Sequence, residues 1–216
     1  MASEVSDDFR ERAKRLRPEP PPFRHTGAWG DHSLDRNTSP ADGAPPRPAA
    51  VLVPIVMHAD GPSILLTERA TGLRTHSGQI AFPGGRMDDT DATPTETALR
   101  EAEEEIGLSR RHVEPLGYLD PYLSSSNYLV IPAVALVSPD HELHLNPHEV
   151  ADVFEVPLGF LMDEINHELH CREWRGGVRQ YYAMPFGRRY IWGVTAGILR
   201  NMYEHLYAPP RDPGIP

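Results

Sequence analysis

Three glutamates in one short segment have the residue type and the spacing of a metal site. Glu101, Glu104 and Glu105 lie in the stretch TALREAEEEIGL at residues 97–108. At about 100° per residue, positions i, i+3 and i+4 share one face of a helix. Like charges one turn apart destabilise an isolated helix by roughly 0.2–0.5 kcal/mol per pair. This ridge of carboxylates indicates either a solvated charged face or an oxygen-rich site for a hard divalent cation such as Mg²⁺ or Mn²⁺.

The flanking residues predict where this helix begins and ends. The sequence Thr93-Pro94-Thr95-Glu96 has the pattern of a capping box with proline at the first helical position, which assigns its glutamate to a structural role. Gly107 is placed to end the helix in a left-handed conformation, so we predict a helix over Pro94–Ile106. Arg100 lies one turn before Glu104, and we expect its guanidinium to orient that carboxylate.

A glycine pair precedes the helix in the segment AFPGGRMDDTDATPTE, residues 81–96. Gly84 and Gly85 indicate backbone with unusual dihedral angles or a close approach to another group. If this backbone faces the acidic helix, the main-chain carbonyl of Gly85 can serve as a further metal ligand. The combination of glycine pair and acidic helix therefore favours the metal site over the solvated face.

Residues 85–108 resemble the Nudix box, whose pattern is a glycine, a loop and then Arg-Glu-x-x-Glu-Glu-x-Gly. The second half, Arg100–Gly107, matches that pattern at every defined position. The first half differs, because the loop carries one extra residue and Asp91 stands where glutamate is usual. The resemblance implies an α/β protein with the Nudix-type α/β/α sandwich, in which a mixed β-sheet lies between helices.

The resemblance also implies an enzyme, a Nudix pyrophosphatase that uses Mg²⁺ or Mn²⁺. In this interpretation Glu101, Glu104 and Glu105 bind the metal, and one of them can also orient the attacking water. Glu149, in the segment NPHEV, is a candidate further ligand or base, and an exposed loop acid is its alternative interpretation. Asp152 is a weaker candidate for the same role.

Residues 65–85, LLTERATGLRTHSGQIAFPGG, resemble the signature of the coenzyme A pyrophosphatase branch of this family, as do residues 146–161 and 190–199. That branch implies cleavage of coenzyme A or acyl-coenzyme A to adenosine 3′,5′-bisphosphate and 4′-phosphopantetheine or its acyl form. Arg69 and Arg74 lie within the signature, and a guanidinium suits phosphate oxygens. We expect one of them to bind substrate, with ordinary surface ion pairing as the alternative for each.

Two other functions remain open from the sequence. The first is the same chemistry on another nucleoside diphosphate derivative, such as ADP-ribose, NADH or a nucleotide sugar. The second is a catalytically silent Nudix fold that acts as a binding module, although such a fold has no need to keep a self-repelling acidic ridge. Tyr181, Tyr182 and Trp192 can stack on a base, but core packing is the preferred interpretation for all three.

Composition excludes several classes of protein. The 216 residues carry 21 Lys and Arg against 31 Asp and Glu, and this net charge of −10 argues against nucleic-acid binding. The single cysteine, Cys171, rules out an internal disulfide and fits a reducing cytoplasm. The absence of an apolar run near 18 residues predicts no membrane span. The family resemblance favours a homodimer.

Three regions are predicted along the chain. Residues 1–47 form a proline-rich, mostly irregular arm with at best a short helix near residues 8–16, residues 48–207 form the Nudix hydrolase domain, and residues 208–216 form a proline-rich tail. Besides the acidic helix, helices are predicted at 158–164 and 190–207, and strands at 51–58, 64–68, 116–119, 129–137, 153–156, 170–174 and 178–183.

Overall fold

A nine-stranded mixed sheet occupies the centre of the protein. The computed structural model describes residues 2–24, 28–30, 45–72, 77–174 and 177–209. The strands of this sheet are β1 (Trp29–Gly30), β2 (Arg47–His58), β3 (Gly61–Arg69), β4 (Ile80–Ala81), β5 (Gly84–Arg86), β6 (Val113–Tyr118), β7 (Tyr122–Leu123), β8 (Tyr128–Val137) and β9 (Val150–Pro157). The helices are α1 (Ala2–Ala13), α2 (Pro94–Ile106), α3 (Leu158–Leu161) and α4 (Val194–Leu206), with 3₁₀ turns at Arg110–His112 and Glu164–Asn166.

Strand β2 lies at the centre of the sheet topology. It pairs in parallel with β8 along ten residues and antiparallel with both β3 and β5. The strand order is β1-β7-β8-β2-β3-β4, and β6 joins β8 while β9 joins β3. A second, antiparallel sheet contains β10 (Glu168–Trp174), β11 (Gly177–Phe186) and β12 (Arg189–Trp192).

Helices cover both faces of the large sheet because apolar side chains alternate along β2. Val53 and Ile55 belong to one core cluster, whereas Leu52 and Val56 belong to the other. Helices α1 and α4 supply the first cluster and α2 the second, with Phe9, Ile198, Met202, Ala98, Ala102 and Ile106 as examples. The predicted α/β sandwich is confirmed, and among the described residues no helix has the length and apolar content needed to cross a membrane.

Helix α2 has the predicted bounds and the predicted caps. Thr93 Oγ1 accepts the backbone N–H of Glu96 at 3.2 Å, and the Glu96 carboxylate accepts the N–H of Ala92 at 2.7 Å. Gly107 ends the helix with φ of 69°, in the left-handed region that favours glycine. The assignment of Glu96 to a structural role agrees with these bonds.

The N-terminal segment is more ordered than the sequence predicts. Helix α1 starts at residue 2 instead of near residue 8, and Phe9 is completely buried in the core. Ala13 and Leu16 are buried beside it, which completes an apolar stripe at i, i+4 and i+7. The backbone of Arg17 then exchanges hydrogen bonds of 2.9 and 3.1 Å with Tyr118. The expectation of a mostly irregular arm is therefore wrong for this part, whereas residues 31–44 lie outside the described residues.

The predicted helix over residues 190–207 is wrong at its start. Arg189–Trp192 is strand β12, which pairs with β11, and the helix begins only at Val194. Gly193 separates the two elements with φ of 63°. In the sequence the apolar run continues from β12 into the helix and hides this boundary, which the pairing of β12 with β11 sets. The predicted β10–β11 hairpin is present, although residues 175 and 176 of its turn lie outside the described residues.

We predict that Phe9→Ala lowers the free energy of unfolding by about 3–5 kcal/mol, because it removes a fully buried ring from the core. Urea denaturation of the full chain measures this change. Asp7→Ala, at an exposed position of the same helix, serves as the control and should stay within about 0.5 kcal/mol of the wild type. Equal stability of Phe9→Ala and the control would show that α1 contributes nothing to the core.

Candidate active site

The glycine strand β5 lies directly against the acidic helix α2. The backbone N–H of Gly84 donates to Glu105 Oε2 at 3.1 Å. A Cβ atom at Gly85 would lie 2.5 Å from the carboxylate of Glu101, and one at Gly84 would lie 2.5 Å from the carbonyl oxygen of Ala50. Only glycine permits both approaches, which explains the pair and confirms the predicted close contact.

Arg100 holds three carboxylates around one guanidinium. Its Nε and Nη2 donate to the two Asp91 carboxylate oxygens at 3.1 and 2.9 Å. Its Nη1 donates to Glu101 at 2.9 Å and to Glu104 at 3.1 Å. The predicted contact with Glu104 is therefore present, and the same side chain also positions Glu101. The hydrogen bonds from Arg100 hold the pKa of Asp91 well below its ordinary value.

Glu105 is the most buried acid of the ridge, with only 4% of its side chain exposed. Burial raises its pKa to about 7, against the opposing effects of the Gly84 N–H and of Arg69, whose Nη1 lies 3.6 Å away. Burial also raises the pKa of Glu101, and the negative charge of Glu149 contributes in the same direction to both groups. Glu149 therefore faces the same region, as its candidate role requires.

The remaining acids near the ridge have separate surroundings. Glu104 is 55% exposed, and Glu103 is equally exposed with only Arg110 at 3.8 Å, so Glu103 is solvated as expected. Glu149 accepts a hydrogen bond from Asn146 Nδ2 at 3.2 Å. Asp152 points to a different partner, because it is ion-paired with Arg189 together with Glu68.

The donor atoms of the ridge fit a hard divalent cation. Within the described ranges, no three His, Cys, Asp or Glu side chains already converge as a metal cage. Glu101 and Glu104 are instead held by Arg100, and Glu105 by the Gly84 N–H and Arg69. All the available donors are oxygens, and the raised pKa values of the two buried acids show negative charge without full compensation. A divalent cation would supply that compensation.

A cleft of about 660 Å³ extends from the glycine strand to the small sheet. The described residues of its lining include five arginines and no acidic side chain, although the chain as a whole carries a charge of −10. Arg69 lines this cleft, and its Nε is buried without a hydrogen-bond acceptor in the described part of the chain. The second predicted substrate arginine, Arg74, lies outside the described residues. The lining arginines are Arg47, Arg69, Arg86, Arg172 and Arg179.

Most residues of the cleft carry no recognisable motif in the sequence. Tyr181 and Trp192 line it, so core packing is wrong for these two, whereas Tyr182 does pack against the core. Strand periodicity explains the difference, since neighbouring residues 181 and 182 of β11 point to opposite faces. The same periodicity places Arg179 on the face of Tyr181, a signal that became readable only once the bounds and pairing of β11 were known.

Comparison with known proteins identifies the family. The model of the NUDIX domain matches residues 46–171, more than half of the chain. A Klebsiella pneumoniae protein named uncharacterized Nudix hydrolase NudL is 38% identical over 205 residues, which cover 94% of this chain and 96% of that protein. The chain belongs to the Nudix hydrolase family. A Photorhabdus laumondii protein of the same name is 42% identical over 160 residues, 74% of this chain and 85% of that one.

Family membership confirms the predicted enzyme class, and Nudix hydrolases generally use divalent metal ions. Among solved structures, this Nudix hydrolase is similar to the NUDIX domain of Shewanella oneidensis NrtR complexed with ADP ribose. The identity is 16% and the TM-score 0.48, over 81% of this chain and 97% of that one. Similarity at this level does not identify a substrate.

We predict that Asp91→Asn lowers the free energy of unfolding by about 1–3 kcal/mol at pH 7, because the bidentate bond to Arg100 loses its charge. The pKa of Asp91 is lower in the folded state, so its contribution exists above the unfolded pKa of about 3.9 and is lost as the pH falls below it. Chemical denaturation at several pH values should show the two proteins converging in acid. A difference that is the same at pH 7 and pH 3 would contradict the ionic origin.

Proposed function

We propose that this Nudix hydrolase cleaves the diphosphate of coenzyme A or acyl-coenzyme A, with Mg²⁺ or Mn²⁺ as the cofactor. The products would be adenosine 3′,5′-bisphosphate and 4′-phosphopantetheine or its acyl form. One observation carries the proposal: the backbone of Gly84 and Gly85 lies between the acidic ridge of α2 and a cleft lined by arginines. The proposed metal site would therefore adjoin the proposed binding site for a polyanion. The resemblance of residues 65–85 to the coenzyme A branch supports the choice of substrate.

In this proposal, the carboxylates of Glu101, Glu104 and Glu105 and the carbonyl of Gly85 are the metal ligands, and Glu149 is a further ligand or the base. A divalent cation held by these groups would neutralise charge on the diphosphate oxygens and would promote the ionisation of water. Arg100 keeps Glu101 and Glu104 in place and thereby positions two of the ligands. The glycines keep the ridge close to the cleft.

The protein's own side chains supply the remaining chemistry. Arg69 lies between Glu105 and the cleft, and its buried Nε offers an unused donor to a phosphate oxygen. A carboxylate accepts the proton from the attacking water, and both Glu105 and Glu149 are candidates.

The alternatives from the sequence stay open as competing proposals. Another nucleoside diphosphate derivative, such as ADP-ribose, NADH or a nucleotide sugar, would use the same ridge and the same Arg69. A silent binding module would need neither the ridge nor Arg69. The raised pKa values of Glu101 and Glu105 also argue against such a module, because ionised carboxylates in these surroundings lower the stability of the protein when no cation is bound.

Two further predictions concern the cellular context of the protein. Its single cysteine, Cys171, is free, in accord with a reducing compartment such as the cytoplasm. A homodimer stays a prediction from the family resemblance. We propose a small-molecule substrate, without nucleic acid or membrane as a partner.

The substrate is tested by incubating the protein with Mg²⁺ or Mn²⁺ and, separately, coenzyme A, dephospho-coenzyme A, ADP-ribose and NADH. Chromatography of the products should show coenzyme A cleaved with a kcat/KM at least about tenfold above the others, because its 3′-phosphate adds charge-assisted hydrogen bonds. Comparable cleavage of all four would keep the hydrolase and reject the specificity. No cleavage of any would favour the binding module.

We predict that Glu105→Gln lowers kcat/KM by about 100-fold or more, because an amide neither binds a hard cation well nor accepts a proton. Its stability should not fall, since the amide oxygen can still accept the Gly84 N–H and a buried charge is removed. Steady-state kinetics and thermal unfolding measure the two effects.

The matched control is Glu103→Gln, which changes an exposed carboxylate of the same helix and should leave kcat/KM within about twofold. If Glu105→Gln kept its turnover but lost its fold, Glu105 would be a structural residue and not a ligand or base.

A further inference from the structure

We propose that Arg172 and Arg179 form a binding site for a phosphate monoester of the substrate, separate from the diphosphate. Tyr181 and Trp192 beside them would hold the attached nucleoside. This inference rests on the proposed function, since it concerns the nucleotide half of the same substrate. It assigns recognition to the small sheet β10–β11–β12, which carries none of the metal ligands.

The two arginines are directly opposite each other in the antiparallel pair β10–β11. Directly opposed residues have Cβ atoms about 4.5–5.5 Å apart, and like charges in this position destabilise a sheet. Both side chains line the cleft. The sheet therefore concentrates positive charge at one point of the cleft wall, where an anion would remove the repulsion.

Arg179 is the open member of this pair, because Arg172 already has an interaction within the protein. The guanidinium of Arg179 has no ion pair or hydrogen bond with any residue in the described ranges, and the described residues that line the cleft include no acidic side chain. Other arginines nearby are engaged: Arg47 lies 3.9 Å from the ring centroid of Tyr128 and donates to the carbonyl oxygen of Ser126 at 3.1 Å. Arg189 of the same small sheet is paired with two carboxylates. Arg179 is thus available to a ligand.

Aromatic rings on the same face indicate what the phosphate is attached to. Tyr181 is two residues beyond Arg179 on β11 and therefore shares its face. Its ring meets Trp192 edge to face, with centroids 5.5 Å apart, and both rings line the cleft. Bases stack on such rings, and a phosphate monoester with about −1.5 to −2 charges matches two guanidinium groups. A phosphorylated nucleoside combines the two features.

The test compares adenosine 3′,5′-bisphosphate with AMP, which lacks the second monoester, by titration calorimetry without added divalent cation. The full-length wild type should bind the bisphosphate at least about tenfold more tightly than AMP, and Arg179→Gln should reduce this preference below about threefold. Arg188→Gln is the matched control, because it removes an exposed charge from the turn between β11 and β12, outside the cleft lining, and should keep the preference.

Thermal unfolding without ligand gives a second readout. Arg179→Gln should melt at or above the wild-type temperature because the like-charge pair is lost, whereas a residue with a structural role would lower it. A wild type without preference for the bisphosphate would overturn the proposal, and so would an Arg179→Gln variant that weakens both nucleotides equally.

Turnover of coenzyme A by the same proteins separates this inference from the proposed function. If coenzyme A is not cleaved but the bisphosphate preference depends on Arg179, the phosphate site is supported and the proposed substrate is wrong. If coenzyme A is cleaved and no preference depends on Arg179, the substrate is supported and this site is wrong.

Discussion

The main chain of Gly84 and Gly85 lies against the carboxylates of Glu101 and Glu105, and the arrangement of the site depends on this contact. A Cβ atom at Gly85 would collide with the Glu101 carboxylate, and one at Gly84 would collide with Ala50 and Val51 of β2, so the close approach of β5 to both neighbours requires glycine. Pairing of β5 with β2 and the apolar face of α2 hold the two elements at that distance. The acidic ridge is therefore carried by rigid elements and not by loops.

This contact also separates two regions of opposite charge. On one side, buried carboxylates repel one another, and Arg100 restrains them without neutralising them all. On the other side, arginines line a cleft in a strongly acidic chain. In the proposed complex a diphosphate and its divalent cation would join the two, with the carboxylates holding the cation and the arginines binding the phosphate oxygens.

Local patterns predicted the parts of the site that depend on a single element. The caps of α2, its bounds and the shared face of its glutamates follow from spacing within fifteen residues, from Thr93 to Gly107, and the structure agrees at each of these points. Asp91 illustrates the limit. In the sequence it is a departure from the family pattern. Only the folded loop shows that its carboxylate accepts hydrogen bonds from Nε and Nη2 of Arg100.

Features that depend on tertiary pairing were not predictable from the sequence. The apolar stripe of α1 is a local pattern at Phe9, Ala13 and Leu16, but charged and proline-rich residues surround it and hide it in the sequence.

The cleft residues Arg172 and Arg179 are seven positions apart and become neighbours only through the β10–β11 register. The register of a strand pair is strongly specified only where one face is buried, so the sequence of β10 and β11, which have exposed positions, does not specify their pairing.

In the proposed mechanism the glycine strand and the acidic ridge together bind a divalent cation, and every other step depends on this site. Mn²⁺ titration followed by electron paramagnetic resonance tests this claim on the wild type, Gly85→Ala and Gly159→Ala. Gly159 is the control because a Cβ there would contact nothing within 4 Å. Gly85→Ala should bind Mn²⁺ at least about tenfold more weakly than the other two proteins, because its Cβ displaces Glu101. Equal affinities for all three would contradict the account.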